Sequence, residues 1–263
     1  ILPQKTLDEV NADVQAWAEK KKEKIQALES NEKFRKEFLS NLSHELRTPI
    51  FTIQGYIETL LAGAMEDEAV AHRFLTNASK SIERLVRLVD DVDEISKLET
   101  GQMPINAESF IIQDLVKDVF EEFALLSKEK KQKLEIKKGT EGSLRVYADK
   151  PKIKQALVNL VENAIKYGKD SGVIHVGCYA LDEQRVYVEV TDEGKGINDE
   201  HIPRIFERFY RADRSRNSGI GGTGLGLAIV KHIIDAHGQT LNVRSKIGVG
   251  SSFGFTLAKN SAK

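Results

Sequence analysis

"GGTGLGLAIVK", residues 221–231, decides the second half of the fold, because Gly222, Gly224 and Gly226 run straight into an apolar helix. Glycines remove Cβ atoms where a ligand must approach the backbone, and the N–H groups at a helix start attract phosphate. The spacing is not the dinucleotide fingerprint, whose third glycine would fall at Leu227. It is not a P-loop either, since no Gly-Lys-Ser/Thr follows. Taken alone, the glycines would fit tight helix packing equally well.

Three earlier motifs change that balance. "NLVENAIKYG" (159–168) puts Asn159 and Asn163 four residues apart on one helical face. Asparagine is a poor mid-helix residue, so two at this spacing suggest recruited amide oxygens, which suit magnesium. Lys166 could meet a phosphate, and Tyr167 could pack on a ribose or base. "DEGKGI" (192–197) ends a strand at Asp192, where a carboxylate can accept from an adenine amino group. Gly194 and Gly196 would let the base approach, although Asp-Gly turns are also common for their own sake. In "RIFERFYR" (204–211), Phe206 and Phe209 anchor the segment by packing while Arg208 and Arg211 face the other way. "ADRSRNSGIGG" (212–222) has Ile220 as its one apolar anchor, and reads as a lid loop.

Outward from these motifs, the pattern is mixed α and β. A helix is expected over 110–126, then a pair of short strands in "KLEIKKG" and "LRVYAD". A helix capped by Asp149, with Pro151 near its start, should run to Gly168. "VIHVGCYA" and "RVYVEVTDEG" alternate like half-buried strands. A helix ending at Gly238 and strands in "TLNVRS" and "SSFGFTLA" close the unit. The expectation is an α+β sandwich with helices on one face.

The first half is helical. Apolar residues recur at three- and four-residue steps over 7–65, including Leu7, Val10, Val14, Trp17, Ile25 and Leu28, then Phe38, Leu42, Leu46, Ile50, Ile53, Ile57 and Leu60. Lys21, Lys24 and Asn31 interrupt the early seam, which makes it a marginal coiled coil. A turn over 62–68 leads to a second helix over 69–98, with Phe74, Ala78, Ile82, Leu85, Leu88, Val92, Ile95 and Leu98 on one stripe. One hairpin cannot bury a stripe on each helix, whereas two can, as a four-helix bundle; a twofold homodimer through 31–98 is expected. Gly101 and Pro104 mark residues 99–109 as the linker.

"FLSNLSHELRTPI" (38–50) places His44 beside Ser40, Asn41, Arg47 and Thr48, off the apolar stripe. A solvent-facing imidazole is partly neutral and nucleophilic near pH 7, and Glu45 can orient it or take its other ring proton. Pro49 removes the N–H that would bond the Glu45 carbonyl, at a cost of about 3 kcal/mol in a helix interior. A helix loosened at this point is the expectation. His72, His175, His201, His232 and His237 have neither cysteine partners nor metal-ligand spacing, and read as structural or surface residues.

The bulk numbers bound the reading. A chain of 263 residues favours two domains, and 40% hydrophobic with 30% charged residues fits a folded, helix-rich protein. A net charge of −1 gives no general basic field, so nucleic acid is not an expected partner. The single cysteine, Cys178, forms no internal disulfide and reads as a small buried residue of a reducing compartment. No apolar stretch spans a bilayer and no signal peptide is visible. The chain begins Ile1-Leu2-Pro3, so a fragment or processed product is expected, with upstream sequence missing.

With all five motifs in hand, the chain resembles the sensor histidine kinases of bacterial two-component systems. "FLSNLSHELRTPI" resembles their phosphoacceptor box. "NLVENAIKYG", "DEGKGI", "RIFERFYR" and "GGTGLGLA" resemble their N, G1, F and G2 boxes, in family order, so that the likeness covers 31–259. Residues 1–30 resemble the family's signalling helix more weakly. The resemblance implies two domains: a dimerisation and histidine phosphotransfer domain (31–98) and, after the linker, an ATP-binding domain of the histidine kinase/gyrase/chaperone type (110–259).

It also implies roles. His44 would take the γ-phosphate of ATP, with Glu45 as base or orienting partner. Asn163 would ligate Mg2+ with Asn159 near it, Lys166 and Arg211 would hold phosphates, and Asp192 would read adenine. Tyr167, Gly194, Gly196, Phe206, Arg208 and the Gly222–Thr223–Gly224–Leu225–Gly226 run complete the expected ATP-binding set. Thr48 matches the position that aims water in members that dephosphorylate their partner. "AHGQT" (236–240) departs from members that carry a second glycine there. The implied activity is ATP-dependent autophosphorylation, then transfer to an aspartate of a response-regulator receiver domain, with phosphatase activity as well. A phosphatase-dominant member or a nucleotide-gated interaction module is the alternative. Gyrase-type ATPases use an acidic residue where this chain has Asn159, which disfavours steady ATP hydrolysis. The expected setting is the cytoplasmic portion of an inner-membrane protein with an upstream transmembrane sensor.

Overall fold

The structure, a computed structural model, describes residues 7–99, 104–140, 142–212 and 223–260. Two compact units emerge, one ending at Leu85 and the other starting at Val86.

The first unit is a helical hairpin. Helix α1 runs Leu7–Leu61 and α2 begins at Glu68, with Ala64–Glu66 as a single 3-10 turn between them. Gly63, at φ 117°, makes the reversal, a conformation that L side chains resist. Asp67 then caps α2: its Oδ1 accepts the N–H of Ala69 (3.0 Å) and of Val70 (3.1 Å). The antiparallel pairing is fixed by Tyr56 against Phe74, with ring centroids 5.3 Å apart, and by the Glu45–Arg84 ion pair at 3.1 Å.

The apolar residues of α1 form two faces rather than the expected single stripe. Pro49 and Leu60 are buried and Leu42, Leu46 and Ile53 half-buried, while Ile50 and Ile57 stay 49% and 47% exposed. On α2, Leu75 and Ile82 are exposed in the same way. Helix α1 continues through Pro49, where the sequence predicts a loosened helix. One lost intrahelical bond is offset by burying the pyrrolidine ring.

The second unit takes in the end of α2 and everything after it. Strand β1 (Glu108–Ile111) leads directly into α3 (Ile112–Glu129). Then come β2 (Lys133–Ile136), β3 (Arg145–Ala148), α4 (Lys150–Tyr167), β4 (Val173–Ala180), β5 (Arg185–Asp192), α5 (Gly226–Ala236), β6 (Leu241–Lys246) and β7 (Gly250–Lys259). The sheet order is β1-β3-β7-β5-β4-β2, with β6 also on β7.

The expected strand pair is corrected, because β2 and β3 do not meet. β2 lies parallel to β4, and β3 lies between β1 and β7. The expected helix over 110–126 also shifts, since its first residues form β1 and it ends at Glu129. Val186, Val188 and Val190 of β5 point alternately inward and are buried with Ile153, Leu157, Leu160 and Val161 of α4 and Ile229, Ile233 and Ile234 of α5. Each such side chain contributes about 1.5–3 kcal/mol when fully buried. Helix α4 starts as its sequence demands: Asp149 Oδ1 accepts the Lys152 N–H at 3.1 Å, with Pro151 in the first turn.

Candidate functional site

The nucleotide motifs meet around α4. Its core face uses Ile153, Ala156, Leu157, Leu160, Val161 and Ala164, which leaves Asn159 and Asn163 half-buried on the flank. Gly226, at the first turn of α5, faces Asn159, since a Cβ built there would lie 3.5 Å from Asn159 Oδ1. The Asn159 Nδ2 group is buried without a hydrogen-bond partner among the described residues. Such an orphan costs about 1–3 kcal/mol unless an acceptor arrives, and a phosphate oxygen is one.

The second contact joins the end of α4 to "DEGKGI". A Cβ at Gly194 would overlap the Tyr167 carbonyl, and one at Gly196 (φ 72°) would overlap the Lys246 carbonyl. Only glycine fits either place. Asp192, the last residue of β5, is 6% exposed. Its Oδ1 accepts both the Gly194 N–H (2.7 Å) and the Ser251 N–H (3.4 Å). Both bonds fall on one oxygen, which leaves Oδ2 for a ligand donor. Burial pushes the Asp192 carboxyl above its usual range, and the two backbone N–H groups pull it partly back. Thr191 and Ser252 share a hydroxyl hydrogen bond of 2.8 Å beside it.

The third contact joins "RIFERFYR" to the glycine run. Phe209 N–H donates to the Gly224 carbonyl at 2.9 Å, with Phe209 itself at φ 59° and Gly224 at φ 74°. Phe206 packs edge-on against Phe253, centroids 6.4 Å apart, as an anchor should. Arg208 Nη2 donates to His232 Nε2 at 3.1 Å, and His201 Nδ1 pairs with the Tyr210 hydroxyl at 2.8 Å. Arg211 is half-buried next to this segment. The Lys166 and Lys195 ammonium groups lie 5.1 and 5.6 Å from the Tyr167 ring centroid. Leu225 is fully buried, while Thr223 is half-buried. Gly222 and the expected lid at 213–222 lie outside the described residues.

Sequence reasoning missed Ser251, which reaches Asp192 only through β5–β7 pairing. Among the described residues no three His, Cys, Asp or Glu side chains form a metal cluster. The donor set instead suits a cation bound largely through phosphates and water, with one amide oxygen from the protein.

In the helical unit, His44 is exposed with Ser40, Asn41, Arg47 and Thr48, as its position predicts. The Thr48 hydroxyl donates to the His44 carbonyl at 3.3 Å. Glu45, the expected base or orienting partner, accepts from Arg84 on α2. Among the described residues, no helix is long and apolar enough to cross a membrane.

A helical hairpin displaying an exposed histidine, followed by an α/β unit whose glycine and asparagine motifs meet around α4, is the arrangement of a phosphoacceptor domain with a nucleotide-binding partner domain. Family comparison agrees: the His Kinase A (phospho-acceptor) domain matches residues 34–101, and the Histidine kinase-, DNA gyrase B-, and HSP90-like ATPase family matches 148–261. The chain belongs to the sensor histidine kinases of two-component systems. Sensor histidine kinase WalK of Bacillus subtilis is 39% identical over 228 residues, covering 85% of this chain and 36% of that protein. The phosphate regulon sensor PhoR of Pseudomonas aeruginosa is 37% identical over 222 residues, covering 84% and 49%. The chain therefore spans half or less of these two relatives. Among solved structures, the Acinetobacter baumannii histidine kinase AdeS superposes with a TM-score of 0.67 at 30% identity, covering 83% of this chain and 98% of its own. Histidine kinase ThkA, solved with the response regulator TrrA, gives 0.68 at 27% identity over 85% of this chain and 61% of its own.

Proposed function

We propose that this chain is a kinase core that phosphorylates its own His44 from ATP and passes the phosphoryl group to an aspartate of a response-regulator receiver domain. The carrying observation is the convergence of Asn159, Gly226, Gly194 and Asp192 around α4, with a buried amide donor awaiting an acceptor. Asp192 Oδ2 accepts from the adenine amino group. The α5 start and Lys166 face the phosphates, with Arg208 and Arg211 from the preceding segment. Asn163, with Asn159 beside it, would hold Mg2+, which neutralises charge on the phosphate oxygens.

A His44 ring nitrogen attacks the γ-phosphorus, an N–P bond forms, and the bond to the β,γ-bridging oxygen breaks to release ADP. The proton on the other ring nitrogen leaves to Glu45 or water. Most of the rate comes from positioning and charge stabilisation. The expected linker at 99–109, of which residues 100–103 lie outside the described residues, joins the ATP domain to the His44 hairpin, and Thr48 aims water when the partner is dephosphorylated. The domain limits expected above, with residues 1–30 as a signalling helix, serve this cycle.

The active species is proposed to be a homodimer. Ile50, Ile57 and Leu61 on α1 and Leu75, Ile82, Val86 and Val89 on α2 are exposed at seven-, four- and three-residue steps, an outer apolar face that a second hairpin would cover. The longer relatives are named sensor proteins, and the proposed setting for this core is the cytoplasmic portion of an inner-membrane sensor. Incubation with γ-labelled ATP and Mg2+ tests the reading. Label lost in acid, stable in base and absent from His44→Ala supports it. Nucleotide binding without any label would refute it and leave the interaction-module and phosphatase-dominant alternatives.

A further inference from the structure

One edge of the sheet carries a cleft that the candidate nucleotide residues do not line. The sheet ends at β2, and among the described residues no further strand covers its outer backbone. Lys133 N–H donates to the Gly172 carbonyl at 3.0 Å and Lys137 N–H to the Val176 carbonyl at 2.9 Å, both toward β4. Backbone groups alternate in direction along a strand, so the N–H groups of Leu134 and Ile136 face outward. Beside β2 and the second half of α3 lies a cleft of about 660 Å³, within the range of ligand sites. Phe120, Ala124 and Leu134 give it an apolar lining, and Glu121, Lys128, Lys131 and Gln132 a polar one. Leu125, four residues after Glu121 on α3, is 74% exposed.

Gln132 is 6% exposed. Its Nε2 donates to the carbonyls of Ile165 (3.1 Å) and Lys169 (3.2 Å), which fixes the orientation of the amide. Its Oε1 is buried with no hydrogen-bond partner among the described residues. A buried acceptor is unfavourable until a donor reaches it.

Charge selects the occupant. Residues 127–138 hold six lysines against two glutamates, in a chain whose net charge is −1. Lys130 is committed to the Ile165 and Lys166 carbonyls at 2.9 and 3.1 Å, and Lys137 lies 5.6 Å from the Tyr179 ring centroid. Lys128, Lys131 and Lys133 are exposed and carry no ion pair among the described residues. Lysines along an edge strand repel a second copy of that edge, which disfavours self-pairing and favours a strand of opposite charge.

We propose that the β2 edge and its cleft bind an extended acidic peptide segment of a partner protein. The segment pairs with β2, seats an apolar side chain on Phe120, Ala124 and Leu134, and sets its carboxylates near Lys128, Lys131 and Lys133. It also brings N–H donors to the neighbourhood of Gln132 Oε1. None of these residues belongs to the candidate nucleotide set, so the inference stands apart from the kinase reading.

The probe is a fluorescein-labelled peptide of about six residues, a strand's length, alternating glutamate with valine or isoleucine. It should bind the full chain saturably, and amide hydrogen exchange at Leu134 and Ile136 should slow when it does. Lys128→Glu combined with Lys131→Glu should weaken binding about tenfold. Ala124→Trp fills the cleft without changing charge and should weaken binding as well. All three positions are exposed, so the variants should keep the wild-type melting temperature and ADP affinity. A peptide with serine in place of valine and isoleucine should bind much more weakly, since charge alone does not fill the cleft. The proposal is overturned if wild type does not bind the probe, or if the serine peptide binds equally well. It is also overturned if exchange at Leu134 and Ile136 is unchanged, or if the chain binds phosphatidylglycerol vesicles through these lysines but not the peptide.

Discussion

Replacing Asp192 with Asn separates nucleotide recognition from stability. Asp192 Oδ1 takes both backbone hydrogen bonds, from Gly194 and Ser251, so the amide oxygen of Asn can keep them. The atom facing the ligand changes from a carboxylate oxygen to an NH2 group, which meets the adenine amino group donor to donor. A hydrogen bond to a charged group contributes about 1.5–3 kcal/mol. Its loss should weaken ATP binding by about 10- to 100-fold at 1.4 kcal/mol per decade. Stability should move the other way. The Asp192 carboxyl is raised by burial in the fold, so its contribution is greatest at low pH and is lost as pH rises through that raised value. Asn carries no charge to bury, and the melting temperature of the variant at neutral pH should equal or exceed that of wild type. Titration calorimetry with ADP, alongside thermal melts, measures both. An inosine nucleotide, whose 6-oxo group accepts, should lose far less affinity than ADP. Unchanged ADP affinity, or equal losses for both nucleotides, would refute the assignment of Asp192 Oδ2 to the base.

Gly196→Ala forces a left-handed φ of 72° on an L residue and drives a Cβ into the Lys246 carbonyl. The backbone term alone is about 1–2 kcal/mol, so urea unfolding should show at least that loss; a variant as stable as wild type would mean the turn relaxes freely. Thr48→Ala should leave His44 labelling intact and slow dephosphorylation of the regulator, as followed by loss of label from a phosphorylated receiver domain. Equal loss of both activities would place Thr48 in the fold of α1 rather than in aiming water.

The candidate site stood out in the sequence because its residues are unusual where they occur: asparagines in mid-helix at 159 and 163, and glycines at 194, 196 and 224, where a Cβ would run into protein backbone. The helices were legible by period, and Asp149 and Gly168 marked the ends of α4. What sequence concealed depends on partners distant in the chain. β1 is four residues of "ESFI" running into a helix without a turn, and its pairing with β3 spans some forty residues of sequence. β2 and β3 are adjacent along the chain, yet β2 pairs with the later β4, and β3 sits between the earlier β1 and the later β7. Pro49 reads in the sequence as a weak point, and in the structure it lies buried inside a continuous α1. Asp91 sits in "LVDDVDEI" among other acids, and nothing in that run distinguishes the one that meets Thr223.

The central claim is that the exposed imidazole of His44 receives the phosphoryl group held by the second unit. Fragmentation mass spectrometry of the chain after incubation with Mg-ATP, kept at alkaline pH throughout, measures this most directly. The account predicts a single phosphoryl group on the His44 ring and none on the other five histidines. A phosphoryl group on Ser40, Ser43 or Thr48, or on a histidine of the α/β unit, would contradict it.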